Sequence, residues 1–193
     1  MTKRRINVFL ITVSSLIFCT NVYSASFEKY APKLLRFEGA GYGIHQPIWG
    51  EKDFTKSEAL SIHRKHYWDR FHGDLFKSQE VAEVFIDHII NAGIGRNAAN
   101  VKAFEAIIGV EQDGVLSIED VNRANSFYFA EQIVNPYVKY RVLYYKTRSH
   151  AAENPGWITR AKAFLMRNSY GTINLTDVSL PDSVERRFRH VRL

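Results

Sequence analysis

Apolar residues recur along most of this chain at three- and four-residue spacing, the pattern of helices that bury one face. Phe27, Tyr30, Leu34 and Phe37 make the first such stripe, and Gly39 follows close behind it. Thr55-Lys56-Ser57-Glu58 has the form of a capping box, which predicts a helix running toward Trp68. Ser78 caps the next helix, with Val81, Val84, Phe85, Ile89 and Ile90 facing inward and Gly93 past its end. A further helix is predicted over 98–108, closed by Gly109, and Asp113-Gly114 reads as a turn. Ser117-Ile118-Glu119-Asp120 opens the longest helical stretch with an acidic first turn. Pro136 is expected to break or kink that stretch before a tyrosine-rich continuation over 137–145. After the loop Asn154-Pro155-Gly156, Trp157 begins a last helix to about residue 168. No strand pair is legible before Thr172, so the pattern predicts an all-α chain.

The start of the chain stands apart. Lys3, Arg4 and Arg5 precede a largely apolar run from Ile6 to Phe18, and Val22-Tyr23-Ser24 resembles a small-residue cleavage site. Residues 1–24 are therefore read as a signal peptide rather than a stable membrane anchor, which places the mature protein in the periplasm or outside the cell. Cleavage after Ser24 removes the single cysteine, Cys19, so no disulfide can brace the mature chain. It also leaves 23 basic residues against 20 acidic ones, a net charge of +3 in place of +6. A modest positive balance suits an anionic polymer such as a cell-wall glycan without identifying one. The 169 residues that remain suit one compact domain, large enough to bury a core unaided.

One carboxylate draws attention within that frame. Glu38 ends the first apolar stripe and is followed by Gly39-Ala40-Gly41-Tyr42-Gly43. Glycines allow a sharp turn, which would leave this carboxyl at the lip of a cleft, partly shielded from water. Such a setting favours a protonated glutamate, as a general acid requires. An ordinary surface glutamate at a helix C-terminus fits the same local sequence.

The order of short motifs then becomes informative. Glu38-Gly39, Tyr42-Gly43-Ile44, Tyr67-Trp68-Asp69, Phe85-Ile86-Asp87, Asn91-Ala92-Gly93, Ile108-Gly109-Val110, Asp113-Gly114-Val115 and Gly156-Trp157 follow one another. Over roughly residues 27–165 the chain resembles glycosyl hydrolase family 108, lysozyme-like muramidases with a peptidoglycan-binding-like second half. The resemblance implies a lysozyme-like helical fold, cleavage of the peptidoglycan glycan strand, and a catalytic glutamate at Glu38. It divides the chain into a catalytic half, 25–92, a peptidoglycan-binding-like half, 93–168, and a basic extension, 169–193.

The chain departs from the family beside that glutamate. The family has a longer acidic, Gly-rich, threonine-containing segment where this chain fuses the two motifs at Tyr42. The residues expected to position an attacking water have no counterpart. Glu51 and Asp53 are the nearest acidic substitutes, and His45 and Gln46 the nearest other polar ones. Glycosidases usually use a second carboxylate. A single-glutamate site can instead let the substrate's own 6-hydroxyl close an anhydro ring, as lytic transglycosylases do.

Several other side chains have two readings. Asp87 and Asn91, four apart on one helix face, suit a sugar groove, and Asp87 equally suits a bond to a neighbouring helix. Tyr42, Tyr67 and Trp68 offer aromatic faces to pyranose rings, and Tyr67 and Trp68 suit a core as well. His63, His66, His72 and His88 match no zinc spacing, so neither metal nor cofactor is expected. Tyr137, Tyr140, Tyr144 and Tyr145 read as packing. The basic end, with Arg186, Arg187, Arg189, His190 and Arg192, reads as a solvated terminus or a contact for a partner. No nucleic-acid module is present in the sequence.

Two functions follow from these readings. One is an exported muramidase cutting the β-1,4 bond between N-acetylmuramic acid and N-acetylglucosamine, with Glu38 as acid. The other is a non-catalytic peptidoglycan-binding or secretion-assisting protein. Either takes peptidoglycan glycan strands as its partner, and a secretion apparatus or an immunity protein is a further candidate.

Overall fold

The computed structural model describes residues 24–44, 49, 53–167, 171 and 173–193. Their α-helices are α1 (Phe27–Glu38), α2 (Lys56–His63), α3 (Gln79–Ala92), α4 (Ala99–Ile108), α5 (Ile118–Ala124), α6 (Glu131–Lys146), α7 (Pro155–Lys162) and α8 (Asp182–Glu185). No strand occurs among the described residues. The expected all-α fold is what these helices form.

Caps fix most of the boundaries. Ser26, Ser78 and Ser117 accept from backbone N–H groups of the helices they open, and Thr55 makes the capping box that its sequence announces. Asp120 completes a second box at Ser117. Gly93 and Gly109, both with positive φ, close α3 and α4.

Helix α3 lies at the centre. Every residue from Val81 to Ile89 is buried, the mark of a helix enclosed on all sides. Phe85 meets Phe104 of α4 with ring centroids 4.5 Å apart, and both meet Tyr137 of α6 at 5.8 and 5.5 Å. The tyrosines of α6 split by face, Tyr137, Tyr140 and Tyr145 being buried and Tyr144 half-buried. One apolar core runs from Ala25 to Phe188, so helices of both halves share it.

Three boundaries differ from expectation. The stretch opened by Ser117 stops at Ala124, and α6 begins separately at Glu131. Pro136 does not break α6, which continues through it to Lys146. As the sixth residue of the helix it forfeits the one bond that an N–H there would make to the Gln132 carbonyl, and the helix continues around that gap. Helix α7 ends at Lys162, short of residue 168.

The C-terminal extension is not a free tail. Leu175, Leu180, Val184 and Phe188 are buried. Phe188 packs on Tyr140 at 5.7 Å, and Lys139 and Lys146 donate to the carbonyls of Val178 and Arg192 at 2.6 Å. Apolar residues every four to five positions anchor it, and the arginines clustered from Arg186 onward drew the sequence reading toward a solvated end.

Candidate active site

Helix α1 ends on Glu38, and the Gly39 N–H caps it by donating to the Leu35 carbonyl at 3.0 Å. The chain then turns through Gly39, Gly41, Tyr42 and Gly43, all with positive φ. Tyr42 is a non-glycine residue in this left-handed region, at a cost of about 1–2 kcal/mol. The imidazole of His63, at the end of α2, donates from Nε2 to the Tyr42 carbonyl at 2.8 Å. This folding-back brings Gly43 against the glutamate. A Cβ added to Gly43 would lie 2.1 Å from Glu38 Oε2, so only a glycine fits there as the carboxylate now stands.

The other carboxyl oxygen has a different neighbour. Arg160 of α7 donates from Nη2 to Glu38 Oε1 at 2.8 Å. The side chains of both are largely shielded, with 8% and 13% of their surface exposed. A helix C-terminus carries partial negative charge, which disfavours an anion. The Arg160 guanidinium supplies the opposing charge.

Arg160 is itself held from behind. Its Nε lies 3.0 Å from Asp87 Oδ2 and its Nη2 2.8 Å from Oδ1. Asp87 also accepts from Arg141 Nη2 and from the Tyr30 hydroxyl, each at 2.7 Å. Asp87 and Arg141 are completely buried. Burial opposes the charge on Asp87, and the Arg141 and Arg160 guanidiniums outweigh it, holding the carboxyl below its ordinary value. Burial pushes the Tyr30 phenol well above its usual range, aided by the Asp87 charge. Helices α1, α3, α6 and α7 therefore meet on one cluster of buried charge.

A cleft of about 490 Å³ opens beside Glu38, lined by Phe37, Asn91, Asn154, Gly156, Trp157, Thr159 and Arg160. Asn91 Oδ1 accepts from the Tyr145 hydroxyl at 2.5 Å, which fixes its amide, and Trp157 packs on Tyr145 at 5.8 Å. The cleft thus offers an indole face, two amides and one carboxyl group, a combination suited to an N-acetylated sugar. Glu38 is the only carboxylate among the described residues that line it.

The residues singled out in the sequence divide accordingly. Glu38 and Asn91 line the cleft, whereas Asp87 does not. Asp87 is the helix-linking carboxylate of its two readings, being sealed behind Arg160. Trp68 is fully buried between Phe27 and Tyr30 and donates to Asp74 at 2.6 Å, so it serves the core rather than a sugar. Tyr67 is half-buried and close enough to Glu38 to feel its charge; burial first, then that charge, raises its phenol pKa. Tyr42 contributes its backbone through the turn, with its ring half-buried. Asp53 is exposed. Glu51, His45 and Gln46 lie outside the described residues, as do 1–23.

Two participants escaped the sequence reading. His63 was weighed only as a metal ligand, yet it braces the Tyr42 turn. Burial lowers its pKa against the opposing pull of the Tyr42 carbonyl and Glu38. Arg160 carried no local signal beyond its place three residues after Gly156-Trp157. Among the described residues no three side chains gather as a metal site. No helix among them is long and apolar enough to cross a membrane.

Residues 33–93 match the family glycosyl hydrolase 108, which bears out the resemblance carried by the motif order. Glycoside hydrolysis is the class of activity that this match supports. A solved structure described as Brucella abortus SagA superimposes with a TM-score of 0.60. It is 24% identical, over 72% of this chain and 90% of that one, and supports the fold. No curated protein matches the chain.

Proposed function

Taking the glycosyl hydrolase 108 match as premise, we propose that this protein cuts the β-1,4 bond between N-acetylmuramic acid and N-acetylglucosamine, with Glu38 as general acid. The observation that carries this reading is the placing of one carboxyl group at the cleft wall, with Oε1 held by Arg160 and Oε2 in the space that Gly43 leaves open by having no Cβ. Substrate entering the cleft excludes water and presents the glycosidic oxygen to Glu38. Glu38 gives its proton to that oxygen as the bond to C1 breaks. The electron-poor C1 is then taken by water or by the sugar's own 6-hydroxyl. In either case the attacking oxygen gives up a proton to the Glu38 carboxylate, which restores the acid; water leaves a reducing end, and the 6-hydroxyl closes an anhydro ring.

A second product is favoured by one feature. Asp87 is a carboxylate that shares a partner with Glu38, since one nitrogen of Arg160 bonds both. It is sealed by Arg141, Arg160 and Tyr30, so it can neither attack C1 nor activate water. Internal closure by the 6-hydroxyl needs no second carboxylate, and Glu51 or Asp53 remains the alternative for hydrolysis. Export with cleavage after Ser24 completes the proposal, because the polymer lies outside the cytoplasm.

The test is digestion of purified peptidoglycan by wild type and Glu38→Gln, with mass spectrometry of the fragments. Amide and acid have nearly the same shape, but only the acid can donate the proton, a step worth about 10²–10⁴-fold in rate. Reducing ends indicate hydrolysis, and anhydro-muramyl ends indicate internal closure. A folded Glu38→Gln protein that digests the polymer at the wild-type rate would remove Glu38 from the mechanism.

A further inference from the structure

Arg160 lies on α7, outside the residues that match the hydrolase family, and 122 positions from the glutamate it bonds. Its fork is used at both ends. Nε and Nη2 face Asp87, and Nη2 also reaches Glu38 Oε1. A planar guanidinium held this way has no freedom to swing, and a lysine ammonium could not reproduce it. The aromatic ring of Phe37, one residue before Glu38, lies under the same guanidinium at 4.9 Å.

We propose that Arg160, locked by Asp87, is a positioning residue for Glu38 that decides which carboxyl oxygen carries the catalytic proton. This rests on the reading of Glu38 as the acid. With Oε1 accepting from Arg160, a proton on Glu38 resides on Oε2, the oxygen that occupies the space beside Gly43. The glycosidic oxygen is accordingly protonated from one defined direction. The second half of the chain is then part of the catalytic apparatus as well as a support for substrate. The segment 33–93 by itself cannot assemble the site.

The experiment uses the chain from Ala25 to Leu193 and compares wild type, Glu38→Gln, Arg160→Ala, Arg160→Lys and the double variant Glu38→Gln/Arg160→Ala. Each is assayed for kcat and KM on soluble peptidoglycan fragments and for its unfolding midpoint. A misplaced acid costs on the order of 10²-fold, so Arg160→Ala should lose about that factor, mostly in kcat. Added methylguanidinium should restore part of the rate, which repair of a merely structural lesion would not achieve. In the double variant the residual rate should equal that of Glu38→Gln alone, because Arg160 acts through that residue. If Arg160→Ala does not fold, Arg160→Lys decides the matter, with kcat at least about tenfold down at a retained unfolding midpoint. A folded Arg160→Ala or Arg160→Lys with wild-type kcat overturns the inference while leaving Glu38 in place. An active Glu38→Gln instead overturns the reading beneath it.

Discussion

Replacing Gly43 by alanine moves the proposed acid without altering any group that takes part in the chemistry. The new Cβ would stand 2.1 Å from Glu38 Oε2 and 2.5 Å from its carboxyl carbon, where ordinary contact begins near 3.4 Å. The glutamate is the movable partner, since its carboxyl is the far end of a flexible side chain. It must retreat by more than 1 Å. A displacement of about 1 Å in a reacting group can cost about 10²-fold, or about 2.7 kcal/mol of barrier. Alanine at φ +68° adds about 1–2 kcal/mol of backbone strain, which shifts the unfolding midpoint by a few degrees and leaves the fold standing. Gly41 supplies the control. It has φ +82° and nothing within 4 Å of its Cβ position, so Gly41→Ala suffers strain alone. The assay is the initial rate of peptidoglycan clearing beside the unfolding midpoint for both variants. Gly43→Ala should lose about two orders of magnitude in rate while Gly41→Ala stays near wild type at a similar midpoint. Equal rates for the two would refute the idea that Gly43 sets the carboxylate.

Two further outcomes follow from the structure and sequence. Glu105 of α4 is buried, accepts the Gly114 N–H with both oxygens, and is pushed up to about 7 by burial, with the charges of Asp113 and Asp120 adding to the effect. The folded protein then holds a proton that the unfolded chain releases, so stability should fall as pH rises from about 4.5 to about 7, by at most about 3 kcal/mol. Denaturant titrations at several pH values should show a smaller change for Glu105→Gln, and an identical pH dependence would exclude Glu105 as its source. If the signal reading is right, secreted or periplasmic material should begin at Ala25. Full-length chain in the membrane fraction on N-terminal sequencing would contradict export by cleavage.

Sequence periodicity was informative where structure is local. The caps at Thr55, Ser78 and Ser117 and the closures at Gly93 and Gly109 use groups within a few residues of one another, so short windows contain them. Glu38 was legible for the same reason, as a helix end running into glycines. What holds Glu38 was not. Arg160 is ordinary by composition and gains its role from Asp87, which is 73 positions away. Tyr67 and Trp68 show a second limit, because adjacent residues of a helix face different ways and a dipeptide does not say which points inward. The extension from 173 failed for a third reason. Its four arginines, Arg186, Arg187, Arg189 and Arg192, match in number the four apolar residues that anchor it, and composition averages over both.

The connection between α2 and Trp68 has a consequence of its own. Arg64–Trp68 form a π-helical turn, in which the Asp69 N–H reaches back five residues to the Arg64 carbonyl at 2.8 Å. Such a turn is an α-helix carrying one residue more than its hydrogen bonding needs. The surplus residue advances everything beyond it by about 100°, one step of an α-helix. In this chain the advance lets His63 brace the Tyr42 turn while Trp68 reaches the core. Deleting one residue between 64 and 67 would restore regular helical bonding and turn one of those two side chains away from its place. The site is therefore kept in a local geometry that relaxation to the ordinary helix would erase, and length at this point of the chain is under as tight a constraint as residue identity.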